Sequence, residues 1–316
     1  IFFLNQPERR IIMKLGFISS ILENSSFEEV IDTAAELGYE CVEVACWPRE
    51  KATRRYAGTT HIDIENLDEK TISHIKEYCC KKNVVISALA YYPNTLSEDP
   101  AQRAKAVAHI EKMIEAAPRL GVDTITTFIG RVQTLPVEEN LEIFRTVWTP
   151  IIKLAEEHKV RIAIENCPML FGRDQWPGGQ NLMTTPAIWR KAFEMIPSDY
   201  FGLNYDPSHF VWQQIDYIRP LYEFRDKIFH VHYKDIKVYQ DKLQDVGVMA
   251  YPLDFMSPKL PGLGDIEWGK YVSALTDIGY NGNTCIEIED KAFEDSPERI
   301  LDALRISCHY MRNFVI

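Results

Sequence analysis

The 316-residue chain contains no apolar run of the roughly 18 residues needed to cross a bilayer, so no membrane-spanning helix is expected and a membrane is not among its partners. Basic residues are in deficit: 35 Lys and Arg stand against 46 Asp and Glu, a net charge of −11, and no basic stripe interleaves with aromatics. Such a surface repels phosphate backbones and argues against nucleic acid as a partner. The seven cysteines, at 41, 46, 79, 80, 167, 285 and 308, are odd in number and form no Cys-x-x-Cys pair. That excludes a disulfide framework or a zinc knuckle as the organising device and fits a reducing, cytoplasmic setting. No Gly-x-Gly-x-x-Gly follows a strand-like run, which removes the usual dinucleotide signal of an open doubly wound sheet. The opening IFFLNQPERRII has neither the basic start nor the long apolar core of a signal peptide. Met13 reads as a natural start, with 1–13 an N-terminal extension and 14–316 the folded domain.

What is present is an alternation. Short β-branched runs at Leu15–Ser19, Cys41–Cys46, Val84–Tyr91, Thr124–Ile129, Arg161–Glu165, Phe201–Asp206, Ile228–Tyr233 and Thr284–Glu289 are separated by helical patterns. These helices include Phe27–Leu37, Leu67–Lys82, Ala101–Leu120, Leu141–His158 and Pro186–Ile196, several ending at a glycine suited to a left-handed cap. Eight such units predict an α/β fold, a single closed (β/α)8 barrel. Pro150 is expected to kink or divide the fourth helix. Asn166–Thr185 and Ile236–Asp265 read as long loops after strands five and seven, on the face where barrel active sites sit.

The last four strands each end in a group able to bind a divalent cation: Glu165, Asp206, His232 and Glu287. Alternation places Ala163 with Glu165, Asn204 with Asp206, His230 with His232 and Cys285 with Glu287 on one face, while the intervening residues form a strongly apolar opposite face. Three converging carboxylates repel one another unless a cation neutralises them. Oxygen-rich ligation with one imidazole suits one divalent metal ion, Mn²⁺ first, with Mg²⁺, Co²⁺ or Zn²⁺ as alternatives.

The phrases IENCP (164–168), NYDPSH (204–209), HVHYKD (230–235), PGLGD (261–265) and IEIED (286–290) resemble the xylose isomerase-like barrels of sugar phosphate isomerases and epimerases. That superfamily also includes D-tagatose and D-psicose 3-epimerases, inosose dehydratase and endonuclease IV. The resemblance runs from about Lys14 to the C-terminus. It implies Glu165, Asp206, His232 and Glu287 as metal ligands, and Glu165 and Glu287 as the carboxylates that shuttle a proton through a metal-stabilised enediolate. It also implies His209 as a contact to substrate or to a further metal. The partner it implies is a small sugar or polyol, free or phosphorylated; such barrels often form homodimers, and a C-glycoside deglycosidase-like member takes a small second subunit.

Other polar residues are candidates for substrate contact. Lys234 shares the inward parity of His232. Asn166, Arg173 and Trp176 lie in the first long loop, where an aromatic wall can stack on a sugar and an arginine can hold an anion. His61 follows strand two and Tyr91 ends strand three, both as pocket-lining candidates, and Arg131 after strand four is a further anion contact. His230 reads as a hydrogen-bonded core histidine, and Glu43 as a group that orients a hydroxyl or His230. Three other functions compete with an isomerase or epimerase. They are a lyase or dehydratase with the same metal and proton abstraction, an endonuclease IV-like repair enzyme that the negative charge disfavours, and a non-catalytic binding subunit that the intact ligand set disfavours.

Overall fold

A computed structural model describes residues 13–49, 57–170, 172–176 and 178–315. Ten strands are present among them: β1 Lys14–Ile18, β2 Cys41–Ala45, β3 Val85–Ala90, β4 Thr124–Thr127, β5 Arg161–Glu165, β6 Phe201–Tyr205, β7 Ile228–Tyr233, β8 Asp235–Val238, β9 Met256–Lys259 and β10 Asn283–Ile286. Eight of them pair in parallel in the order β1-β10-β7-β6-β5-β4-β3-β2, and the β1–β2 and β1–β10 ladders close the ring. The eight expected strands are therefore the eight staves of a closed barrel. Helices α1 Phe27–Leu37, α2 Glu69–Lys82, α3 Pro100–Leu120, α4 Val137–His158, α5 Pro186–Met195, α6 Ser208–Trp212, α7 Arg219–Glu223, α8 Gln240–Val246, α9 Trp268–Asp277 and α10 Pro297–Met311, together with six short 3-10 turns, complete the described elements.

Local chemistry sets the helix ends. At α1 the Ser26 hydroxyl accepts from Glu29 N while Glu29 accepts from Ser26 N, and Gly38 at φ 81° stops the helix. The outward faces of the strands supply the core: Ile162, Ile164, Leu203, Tyr205, Val231 and Ile286 are all buried in one cluster with the apolar faces of the helices. The inward faces are left for polar residues.

Four expectations need correction. Met13, placed in the N-terminal extension, is buried in the main core; the rest of that stretch lies outside the described residues. Pro150 does not divide α4, which runs unbroken from Val137 to His158. It sits on the exposed side, where solvent can satisfy the freed carbonyl, while Trp148, Ile151 and Ile152 pin the opposite side in the core. The stretch after β7 is not an irregular loop: β8 and β9 form an antiparallel hairpin with α8 between them. The buried Asp235 carboxylate accepts from Gly262 N (2.9 Å) and the Trp268 indole (2.8 Å), tying the hairpin base to the PGLGD turn.

The fourth correction concerns parity on β3. Val42 pairs with Ile86 but Glu43 pairs with Ala88, so the ladder slips by one and Ser87 is unmatched. Beyond such a bulge the faces exchange. Ser87 points inward to His230 (3.1 Å), and Tyr92, five residues later, also points inward, to Glu43. Tyr91, the expected pocket residue, instead faces outward, edge-on to Trp47 and His109.

At the barrel floor, Gly16 pairs with Cys41 on one side and Cys285 on the other. A Cβ there would lie 2.2 Å from Cys41 O and 2.5 Å from its sulfur. Gly16→Ala is expected to lower the unfolding free energy by about 1–3 kcal/mol through overpacking, read from the guanidinium midpoint. An unchanged midpoint would show that the floor yields freely.

Candidate metal and proton-transfer site

The strand ends bring Glu165, Asp206, His232 and Glu287 together, with one ligand-capable atom from each lying within 4.8 Å of all the others. Glu165 ends β5, Asp206 follows β6, His232 lies in β7, and Glu287 follows β10, where its N–H reaches Tyr233 O at 3.3 Å. The backbone is pinned from behind. The Asn166 amide accepts from Asp206 N and donates to Asp206 O, both at 2.8 Å, and the Asn181 amide donates to Glu165 O (2.9 Å) and Cys167 O (2.7 Å). Both ends of the Asn166 amide are thus engaged within the protein, and it acts on the site by holding Asp206.

Glu43 holds His232 rather than His230. Its Oε2 is 2.7 Å from His232 Nε2 and 3.6 Å from His230 Nδ1, while Oε1 accepts from Tyr92 OH (2.5 Å) and Thr126 Oγ1 (2.8 Å). Burial alone would raise the Glu43 pKa, but the His232 and His230 charges and these hydrogen bonds bring it down to about 2. The Asn204 amide bridges the two histidines, 3.0 Å from His230 Nδ1 and 2.8 Å from His232 Nε2. His230 Nε2 meets Ser87, so both its ring nitrogens are engaged in the barrel interior.

His232 therefore turns its other nitrogen, Nδ1, toward the carboxylates, 3.7 Å from Glu165 and 3.6 Å from Glu287. That buried atom and Asp206 Oδ2 make no hydrogen bond among the described residues. Burial pulls the His232 pKa down, but Glu43, Glu165 and Glu287 together hold it well above its usual value. Glu165 and Asp206 are both lowered despite burial, by His209, His232 and Lys234. The buried His232 Nδ1, without a hydrogen bond and facing anionic oxygen, fits a divalent cation, and a carboxylate behind the imidazole is the usual partner of a metal-binding histidine. The donor set therefore fits the metal that the strand ends imply.

Lys234 and His209 stand beside this cluster. Lys234 Nζ lies 2.7 Å from Glu287, 3.0 Å from Asp206, 3.3 Å from Glu289 and 3.1 Å from His209 Nε2. Burial opposes its charge, yet Asp206, Glu287 and Glu289 hold its pKa well above the ordinary value. His209 Nε2 is 3.2 Å from Asp206 and 3.4 Å from Glu165. The remaining candidates lie apart. His61 is held between the Ser19 hydroxyl (2.9 Å) and Leu22 O (3.1 Å). Arg173 is exposed and pairs through both terminal nitrogens with Asp254, over the Tyr251 ring. Trp176 donates to Met249 O on the hairpin segment and faces Trp212. Sequence reading missed Tyr92 and Asn181. Tyr92 was hidden by the register slip, whereas Asn181 carries no local signal, because its partners are main-chain atoms of other segments.

A family model described as xylose isomerase-like TIM barrel matches residues 31–311. The chain belongs to that family. It is 22% identical to an inosose isomerase of Bacillus velezensis over 289 residues, covering 87% of this chain and 88% of that protein. In structure it is similar to a zinc-bound IolI protein, with TM-score 0.70 and 21% identity over 96% of this chain and 98% of the other. It is also similar to D-psicose 3-epimerase from Clostridium cellulolyticum H10, with TM-score 0.67 and 16% identity over 96% and 99%. Among the described residues, no helix is long and apolar enough to cross a membrane.

Glu43→Gln removes the charge behind His232 and keeps the shape. Metal affinity, read by competition against a chelator, is expected to fall about 10- to 100-fold with the fold intact. Unchanged affinity would show that Glu43 does not orient His232.

Proposed function

We propose that the chain is a metal-dependent isomerase or epimerase of a sugar or polyol carbonyl compound, with Glu165 and Glu287 as its proton-transfer groups. The observation that carries this is the convergence of two carboxylates, Glu165 and Glu287, on His232 Nδ1, 3.7 and 3.6 Å from it. A bound divalent cation would supply charge neutralisation at a substrate carbonyl oxygen. Glu165, Asp206, His232 and Glu287 would hold it, in keeping with the zinc-bound IolI protein of the same fold.

In the reaction, the Glu165 carboxylate takes the proton from the carbon beside the carbonyl. The C–H electron pair becomes the carbon–carbon double bond of an enediolate. Glu287, recharged with a proton by the Lys234 ammonium 2.7 Å away, then protonates a neighbouring carbon or the opposite face, giving the isomer or epimer, and Lys234 regains a proton from solvent as Glu165 loses one to it. His209 and Lys234, both buried beside these carboxylates, orient the substrate hydroxyls. A lyase reading has one observation in its favour: the Lys234 ammonium, 2.7 Å from Glu287, is placed to protonate a departing hydroxyl.

Incubation with ketoses and inososes in heavy water should incorporate deuterium next to the carbonyl. Glu165→Gln and Glu287→Gln should each slow incorporation by about 100- to 10,000-fold while circular dichroism is unchanged. Retained exchange in either variant refutes its role, and net loss of water from the products identifies the lyase. Elemental analysis should find near one equivalent of divalent metal in the wild type, lost in His232→Ala and Asp206→Ala. A wild type that binds no divalent ion refutes the metal reading.

A further inference from the structure

A cavity of about 390 Å³ opens beside the strand ends, lined by Arg131, Pro168, Trp176, Trp212, Gln213 and Phe255 among others. None of the four ligand residues lines it, but it is built from the segments that follow the same strands. Pro168 lies three residues beyond Glu165, and Trp212 is on α6 with His209, whose carbonyl accepts from Gln213 Nε2 at 2.6 Å. Its volume falls in the range of small-molecule sites, and the tilted pair Trp176 and Trp212 offers aromatic wall to the apolar face of a sugar.

Arg131 is the single cation of this lining among the described residues, and it is held in place. Its N–H donates to Asn94 Oδ1 and its carbonyl accepts from Asn94 Nδ2, both at 2.9 Å. The preceding Gly130 adopts φ 86°, and a Cβ there would lie 2.0 Å from Asn94 Oδ1, so only glycine permits this approach. One terminal nitrogen donates to Gly178 O at 2.8 Å. Nε is buried and makes no hydrogen bond, and no carboxylate among the described residues lies within ion-pair distance of the guanidinium. Arg173, in the same loop region, is fully paired to Asp254 by contrast. In a chain with 11 more acidic than basic residues, a positioned, half-buried guanidinium without an acid is an electrostatic deficit that a ligand anion would fill.

We propose that Arg131 anchors an oxyanion subsite in this cavity, so that the substrate is a sugar or polyol bearing a carboxylate or phosphate group. This rests on the proposed reaction only in taking the carbonyl end of the same molecule to lie at Glu165 and Glu287. Arg131 then fixes the remote end, and Trp176 and Trp212 flank the carbons between.

The test is calorimetric titration of the metal-loaded protein with D-gluconate, D-glucose 6-phosphate and D-glucose. At least one anionic probe should bind about 10-fold or more tightly than glucose, and which one does so distinguishes carboxylate from phosphate. Arg131→Met should abolish that preference without changing glucose binding, and Arg131→Lys should retain part of it. Equal binding of all three probes, or a preference that survives in Arg131→Met, overturns the proposal. Should Arg131→Met fail to fold, inorganic phosphate should displace the preferred probe from wild type, and no displacement counts against the subsite. Repeating the titration with His232→Ala separates the two readings. An anion preference there, in a protein whose wild type shows no proton exchange, leaves the subsite standing and removes only the reaction.

Discussion

Anionic side chains with no water around them must find positive charge, and the interior of this barrel is arranged around that requirement. Glu43, Glu165 and Asp206 are almost wholly buried, and Glu287 joins them at the mouth. In a medium of low dielectric, such a group cannot persist without compensation. His232 lies between Glu43 on one side and Glu165 and Glu287 on the other, and Lys234 closes the flank. The amides of Asn166, Asn181 and Asn204 engage main-chain atoms of Asp206, Glu165 and Cys167 and one ring nitrogen of each histidine. The apolar faces of the same strands pack outward against helices, so one alternation serves both stability and chemistry.

That alternation is why so much could be read from the sequence. Eight short runs separated by helices specify a closed barrel, and period two on β5, β6 and β7 is enough to place Glu165, Asp206 and His232 on its inner face. Glu287 was legible by the same rule although its strand ends one residue earlier. Reading failed where the period itself is broken. The unmatched Ser87 exchanges the faces of β3, so Tyr92 rather than Tyr91 meets Glu43, and nothing in the composition of that strand announces it.

The rest was illegible for a different reason. Asn181 and Asn166 act on backbone atoms, which carry no sequence signature, and the partner of Glu43 depends on a reach of 2.7 against 3.6 Å. The hairpin of β8 and β9 falls in a stretch rich in proline and glycine that resembles a loop by composition. It is ordered by a buried carboxylate, Asp235, which accepts from Gly262, Ile266 and Trp268, all more than 25 residues away.

β7 ends at Tyr233 and β8 begins at Asp235, leaving Lys234 as the sole residue between a barrel stave and the hairpin beyond the mouth. The barrel is closed, and the hairpin is held at its base by Asp235 and farther out by the Trp176 indole bonded to Met249 O. The residue that joins the stave to the hairpin therefore also carries the ammonium that lies against Asp206, Glu287 and Glu289. The attachment of the hairpin and the counter-charge of the carboxylates are thus vested in one position of the chain.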